Sequence, residues 1–297
     1  VIEKKFVQLY ASGAAVGLDV AEREVVLTYV LRLLSDSGFS DRLAFKGGTA
    51  IRKLHLGRTG RFSLDLDFTA LGDGDPETVV LELVTLLDGR IFHGITFSIL
   101  QTDYWVTEDS CGAEVNYRHS WVHSARFGIQ VSCRARPLLP ARLASLLHEP
   151  YFKRMGIDPP RVLALDPHEI VGEKIRAAVQ RARVRDVFDL YQFADRPYDR
   201  DTVRRVAVMK CWETRYAFDP AAFLDTLTSR RYDWADLGRL VRGANLPRPD
   251  HMVRSIQVAY AFLKDLSAEE AQLAQDPYGR EVELYRRLAE DLRSRFA

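Results

Sequence analysis

A chain of 297 residues, 47% hydrophobic and 28% charged, can bury a core unaided, and 42 Lys and Arg against 41 Asp and Glu exclude a uniformly basic binder of polyanions. No apolar run reaches the length of a bilayer span, and Cys111, Cys133 and Cys211 are too scattered for a disulfide framework or a zinc pattern. A soluble protein of a reducing, cytoplasmic compartment with no membrane partner is the expectation.

Residues 20–37 carry Val25, Val26, Tyr29, Val30, Leu33 and Leu34 at helical spacing, which predicts an amphipathic helix followed by a loop to Asp41. Residues 43–45 read as a short buried strand, Gly47 and Gly48 as a turn, and 49–54 as the opening of a second helix. From 62 to 68 the pattern alternates: Phe62, Leu64, Leu66 and Phe68 share one face, Ser63, Asp65 and Asp67 the other. A half-buried strand is predicted. Residues 78–87 look helical, and 95–100, 104–106 and 126–133 extended, so the fold expected for this half is α/β (α+β), a mixed sheet flanked by helices.

Proline density rises from Pro137 through Pro140 and Pro150 to Pro159 and Pro160, where a junction between lobes is expected. After an extended run at 162–165, Asp166, Pro167 and Glu169 occupy N-cap, N1 and N3 of a new helix. Helical periodicity then recurs at 169–181, 187–194, 203–215, 220–226, 234–242, 251–266 and 280–296. The expected division is a lobe at 1–165 and an all-helical lobe at 166–297, with the boundary anywhere within 137–195.

Residues two apart on a strand project the same way, roughly 6.5–7 Å apart, so Asp65 and Asp67 converge. Two such carboxylates suit hard, oxygen-preferring Mg²⁺ and the clamping of a phosphoryl displacement. The exposed edge of any half-buried sheet produces the same alternation, so a second motif is needed. Lys46-Gly47-Gly48-Thr49 follows a strand and opens a helix, where glycines let a phosphate reach backbone amides. The spacing is not that of a Walker A loop, and a tight strand-to-helix turn would use the same glycines. Further on, Lys174, Ala178, Arg181 and Arg185 share one face of an unbroken helix, either as a phosphate-binding stripe or as a solvated one. Finally, 115–148 contains no acid but includes Arg118, Arg126, Arg134 and Arg136 beside Tyr117 and Trp121, a candidate RNA-binding stretch in a chain whose default cation is arginine.

Phe45-Lys46-Gly47-Gly48-Thr49-Ala50-Ile51-Arg52, then Arg61 to Phe68, then Glu173-Lys174 with Arg181 and Arg185-Asp186-Val187-Phe188-Asp189-Leu190, resembles the motifs of the AbiEii/AbiGii toxin family. These blocks span about half of the chain. The resemblance implies a polymerase-β-like nucleotidyltransferase lobe and a helical lobe. It also implies transfer of NMP from an NTP with Mg²⁺, and a cognate antitoxin; members similar to the mycobacterial MenT toxins act on the 3′ end of tRNA. Carried onto this sequence, Asp65 and Asp67 would hold the metal. Lys46, Gly47, Gly48, Thr49, Arg52, Ser63, Arg181 and Arg185 would face the nucleotide, and Lys174 would neutralise the triphosphate. Asp186 and Asp189 would be catalytic, would cap the next helix, or would pair with Arg181 and Arg185.

One departure stands out. Polymerase-β-like enzymes commonly carry a third carboxylate on a neighbouring strand, and 127–133 contains none. Two rivals therefore remain open at this point: a nucleotidyltransferase of small hydroxylated molecules such as antibiotics, and a catalytically inactive RNA- or protein-binding module on the same fold.

Overall fold

The computed structural model describes residues 2–72, 74–156 and 158–296, the Ala244 side chain excepted. The described chain divides into two compact units: residues 1–136, 141–164 and 239–243, and residues 137–140, 165–238 and 244–297.

The first unit opens with α1 (Lys4–Ala14), which the periodicity did not announce, and α2 (Leu18–Asp36). Nearly every turn of α2 is buried on all sides, as befits a helix at the centre of a core, and it carries Glu22, Glu24 and Thr28 inside with it. There follow β1 (Leu43–Lys46), α3 (Gly47–Ala50) continuing as a π-helical stretch (Ile51–Leu56), β2 (Leu66–Ala70) and α4 (Pro76–Leu87). Next come β3 (Ile91–Phe92), β4 (Ile95–Ser98), β5 (Tyr104–Thr107), β6 (Ser110–His119), β7 (Val122–Ser132), β8 (Arg142–Ser145), a short α5 (Phe152–Met155) and β9 (Arg161–Ala164).

Among the described residues, nine strands form one mixed sheet in the order β3-β4-β6-β7-β2-β1-β9-β8, with β5 added to β6. The β2/β7 and β1/β9 pairs are parallel and the others antiparallel. Phe45, Phe68, Val115, Tyr117, Phe127, Ile129 and Val131 join α2 and α4 residues in the core. Their alternate neighbours on β6 and β7, Glu114, Arg118, Arg126 and Gln130, are exposed, so this part of the sheet is covered on one face and open on the other.

Two expectations need correction here. The strand predicted over 62–68 begins only at Leu66, because the Phe62 N–H bonds the Leu240 carbonyl at 2.7 Å and its ring joins a satellite cluster with Ala14, Val20 and Leu240. The return segment 239–243 draws 62–65 off the ladder. The helix predicted from Thr49 starts at Gly47, whose φ of +74° suits glycine. The ten-residue β6 was not anticipated at all: Gly112, Ala113, Glu114 and Asn116 are poor strand formers, and only burial of Cys111, Val115 and Tyr117 on the core face selects it.

The second unit is helical: α6 (Pro167–Gln180), α7 (Val184–Phe193), α8 (Arg200–Glu213), α9 (Pro220–Ser229), α10 (Trp234–Leu240, its last two residues belonging to the first unit), α11 (Pro249–Ala259), α12 (Ala268–Ala274) and α13 (Val282–Phe296). Asp166 caps α6 as predicted, accepting from the His168 N–H at 2.9 Å. Glu169 does not complete a capping box. Its carboxylate accepts the Leu138 and Leu139 N–H groups, both at 2.9 Å, and the Lys210 ammonium at 2.8 Å, which ties 137–140 to the helices. Gly172 lets α6 and α8 approach: a Cβ there would stand 2.4 Å from Val206 Cγ1. The cationic face expected on one helix is broken, since α6 stops at Gln180 and Arg181 is extended.

Candidate active site

The site is assembled around β2. Asp67 lies on this strand between Lys46 of β1 and Gln130 of β7 in register, and Asp65 is exposed at the bend just before it. Three local devices hold the pair. Gly47 packs its backbone against Asp67 so closely that a Cβ would fall 2.1 Å from the Asp67 Oδ2. The Gly128 N–H donates to Asp65 Oδ1 at 3.0 Å. The buried Thr49 hydroxyl donates to the Asp65 carbonyl, so it positions Asp65 through its backbone.

The glycine-started helix brings a second cation. A Cβ on Gly48 would stand 2.3 Å from an Arg61 guanidinium nitrogen, and Arg61 is buried. Arg61 stands within the second motif block, where its residue type and spacing alone mark no site role. Ser63 is buried between Arg61 and Asp65 in the chain. Lys46, Asp67 and Arg61 all carry polar or charged partners.

Arg52, expected at the nucleotide, is committed to the interior. Its guanidinium donates to the Gly57 and Gly60 carbonyls at 3.0 and 2.8 Å, lies 3.2 Å from Glu24 and 3.6 Å from Glu149, and sits 3.7 Å over the Phe62 ring. Lys53 joins the same cluster, 2.9 Å from Glu24 Oε1. Burial pushes the Glu24 carboxyl up, but Lys53 and Arg52 outweigh it and hold the group below the usual carboxylate range. The reason for the correction is phase: on the α3–π segment Arg52 and Lys53 turn toward α2, not toward β2.

The position beside Asp67 where a third acid was sought is Gln130, and among the described residues no three His, Cys, Asp or Glu side chains are grouped to hold a metal ion. An acid on the next strand faces the site instead. With Gly128 paired to Glu114, a Cβ on that glycine would stand 3.3 Å from Asp65 Oδ1 and 3.2 Å from Glu114 Oε1. Nothing local marks Glu114, because strand β6 was itself unseen; Gly128 within a strand pattern was the available sign of close approach.

In the second unit, Lys174 is nearly buried on α6 and pairs with Asp186 at 3.0 Å and Asp189 at 2.8 Å, both on α7. Arg181 adds a bond to Asp186 at 2.8 Å. Burial raises the Asp186 carboxyl, yet Lys174 and Arg181 overcome it and hold the group well below the usual carboxylate range. Asp186 and Asp189 thus orient the lysine rather than cap α7. Arg185 is taken up by a two-pronged pair with Asp236 at 2.6 Å. Of the arginines expected at RNA, Arg118 and Arg126 are exposed on the open sheet face without an ion-pair partner among the described residues, whereas Arg134 pairs with Asp109 and Arg136 also has a partner.

A mixed sheet that offers an Asp-x-Asp pair beside a glycine-started helix, joined to a helical unit bearing a lysine held by two aspartates, defines the nucleotidyltransferase class. The model of the nucleotidyl transferase AbiEii toxin family, of type IV toxin–antitoxin systems, matches residues 29–291, and the chain belongs to that family. Its structure is similar to that of MenT4, a nucleotidyltransferase toxin from Mycobacterium tuberculosis H37Rv, with 29% identity and a TM-score of 0.85 over 99% of this chain and 100% of that one. No curated protein matches the chain. No helix among the described residues is long and apolar enough to cross a membrane.

Proposed function

We propose that this nucleotidyltransferase toxin moves an NMP from an NTP to the 3′ hydroxyl of an RNA, the acceptor end of tRNA being the favoured substrate, and thereby blocks translation until a cognate antitoxin restrains it. The observation that carries the reading is the Asp65/Asp67 pair, presented on the open face of the sheet and braced by Gly47 and Gly128. Its donors are carboxylate oxygens, and two carboxylates completed by substrate phosphates suit Mg²⁺. When bound, Mg²⁺ would supply charge neutralisation and alignment of the phosphates.

The chain's own groups do the rest. Lys46 and the amides of Gly47 and Gly48 cradle the polyphosphate, and Arg61 backs the turn at Gly48. Lys174, held by Asp186 and Asp189, has the role that the family resemblance gives it, offsetting charge on departing pyrophosphate. Attack of the 3′ hydroxyl forms a bond to the α-phosphorus and breaks the α–β bridge, while the hydroxyl proton passes to a carboxylate of the pair.

The test is incorporation of each labelled NTP into tRNA with intact, 3′-deoxy and 3′-truncated ends, beside an aminoglycoside acceptor, with and without Mg²⁺. Labelling of intact tRNA alone, lost without Mg²⁺, is expected. Labelling of the drug but not of tRNA would overturn the RNA assignment, and labelling of neither would overturn the catalytic one.

A further inference from the structure

One row of residues crosses the open face of the sheet in register: Lys46 opposite Asp67, Asp67 opposite Gln130, Gln130 opposite Gly112, and Gly112 opposite Trp105. Residues paired across neighbouring strands project to the same side, so Trp105 stands on the face that carries the carboxylate pair. Strands are about 4.8 Å apart, which places the Trp105 backbone roughly 14 Å from that of Asp67.

The indole does not point away from the sheet edge. A Cβ on Gly112 would stand 2.7 Å from Trp105 Cζ2 and 2.9 Å from Cε2, so the ring lies back over the glycine, toward β7 and the carboxylates. The Ile129 carbonyl, 2.6 Å from the same Cβ position, crowds it as well, so both the neighbouring strand and the ring require a glycine within this strand. Although seated on the backbone, Trp105 remains 40% exposed, so its outer ring face is open to a ligand. The same face continues along β7 and β6 with the exposed Arg126 and Arg118, which have no ion-pair partner among the described residues, interrupted by Glu114 beside Asp65 and by Asn116, whose amide donates to Asp103 at 2.7 Å.

We propose that Trp105, seated on Gly112, is a stacking platform for the terminal base of a single-stranded RNA acceptor, with Arg126 and Arg118 taking backbone phosphates further along the strand. The inference rests on the RNA-acceptor reading above. Three features of the face fit that occupant: an aromatic surface usable by any base, two cations without ion-pair partners among the described residues for a polyanion, and a ring that leans over Gly112 toward the strands that carry the carboxylates. A protein strand laid along the same face would leave the arginines without counter-charges.

The test uses the whole chain and a short single-stranded RNA oligonucleotide, intact or with an abasic 3′-terminal nucleotide. Trp105→Ala should weaken binding of the intact RNA roughly tenfold to a hundredfold, while Trp105→Phe retains most of it. Affinity for Mg²⁺ and NTP should not change. The abasic RNA should bind wild type as weakly as it binds Trp105→Ala, because the two changes remove the same contact. Full affinity of Trp105→Ala for intact RNA, or additive losses for the two changes, would overturn the platform and leave the acceptor reading standing. A loss of NTP rather than RNA affinity would assign the ring to the incoming nucleotide and overturn the proposal. Wild-type protein that binds no RNA would overturn both readings together. Unchanged thermal melting of Trp105→Phe and Trp105→Ala separates these outcomes from misfolding.

Discussion

Two charged clusters lie within fifteen residues of each other in the chain and have opposite fates. Arg52 and Lys53 are buried and paired, shared among Glu24, Glu149, Tyr10, Thr28 and backbone carbonyls. Asp65 is exposed and Asp67 half-buried, and both are held by glycine backbones on an open face. Buried ions are retained only when paired, because leaving one uncompensated costs several kcal/mol, whereas solvent reaches Asp65 and part of Asp67. Charge in the sequence therefore says little about function until its partners are known: the buried cluster is spent on internal pairing, and the Asp65/Asp67 pair stands on the open face of the sheet.

Breaking the open pair should have the largest effect on activity. Asp67→Asn or Asp65→Asn is expected to lower nucleotidyl transfer by more than about a thousandfold with little change in melting temperature, since neither change opens a core cavity. Initial rates beside melting curves check it, and residual activity within threefold of wild type would refute the assignment of these carboxylates.

The converse change sharpens the comparison. Lys53→Met should lower stability by about 3–5 kcal/mol, because Glu24 loses its nearest partner and stays buried. The fraction that remains folded should bind Mg²⁺ and NTP as wild type does. Urea denaturation and nucleotide titration of one sample separate the two effects.

A third prediction extends the contrast to the Lys174 cluster in the second unit. Lys174 and Arg181 depress the Asp186 carboxyl, so its contribution to stability is complete above the unfolded value near 3.9 and is lost as pH falls toward the lower folded value. Melting temperature should fall below about pH 4, and Asp186→Asn should lower stability at neutral pH while flattening that acid limb. An unchanged acid limb would show that the pair contributes no linked protons.

The smallest effect concerns the surface arginines. Removal of Arg126 or Arg118 should reduce the salt dependence of RNA binding by roughly 0.7 in the log–log slope, as expected for one phosphate contact to a single strand. Arg134→Ala should change it less, because Asp109 already pairs with that side chain. Equal slopes for all three variants would mean that partner saturation does not predict which cations meet RNA.

Much of this was legible in one dimension. The α2 periodicity, the glycine pair before a helix, the Asp-x-Asp spacing and the Asp166-Pro167 helix start are all local patterns, and each marks a feature present in the structure. They could be read because helix and strand periods, caps and backbone freedom depend on neighbours within a few residues. The same short blocks carry the resemblance to the family whose model matches residues 29–291.

What required the tertiary structure was everything set by a partner distant in the chain. Leu240 takes the N–H of Phe62 and shortens β2, the α2 carboxylate of Glu24 draws Arg52 and Lys53 inward, and two aspartates of α7 claim Lys174. Strand β6, selected by burial against poor propensity, brings Gly112 and Glu114 to the Asp67 face and seats Trp105 there. Sequence determined which side chains share a face of one element; only sheet order and burial decided which face stays open and which charges stay available, because desolvation and pairing depend on what packs across from them.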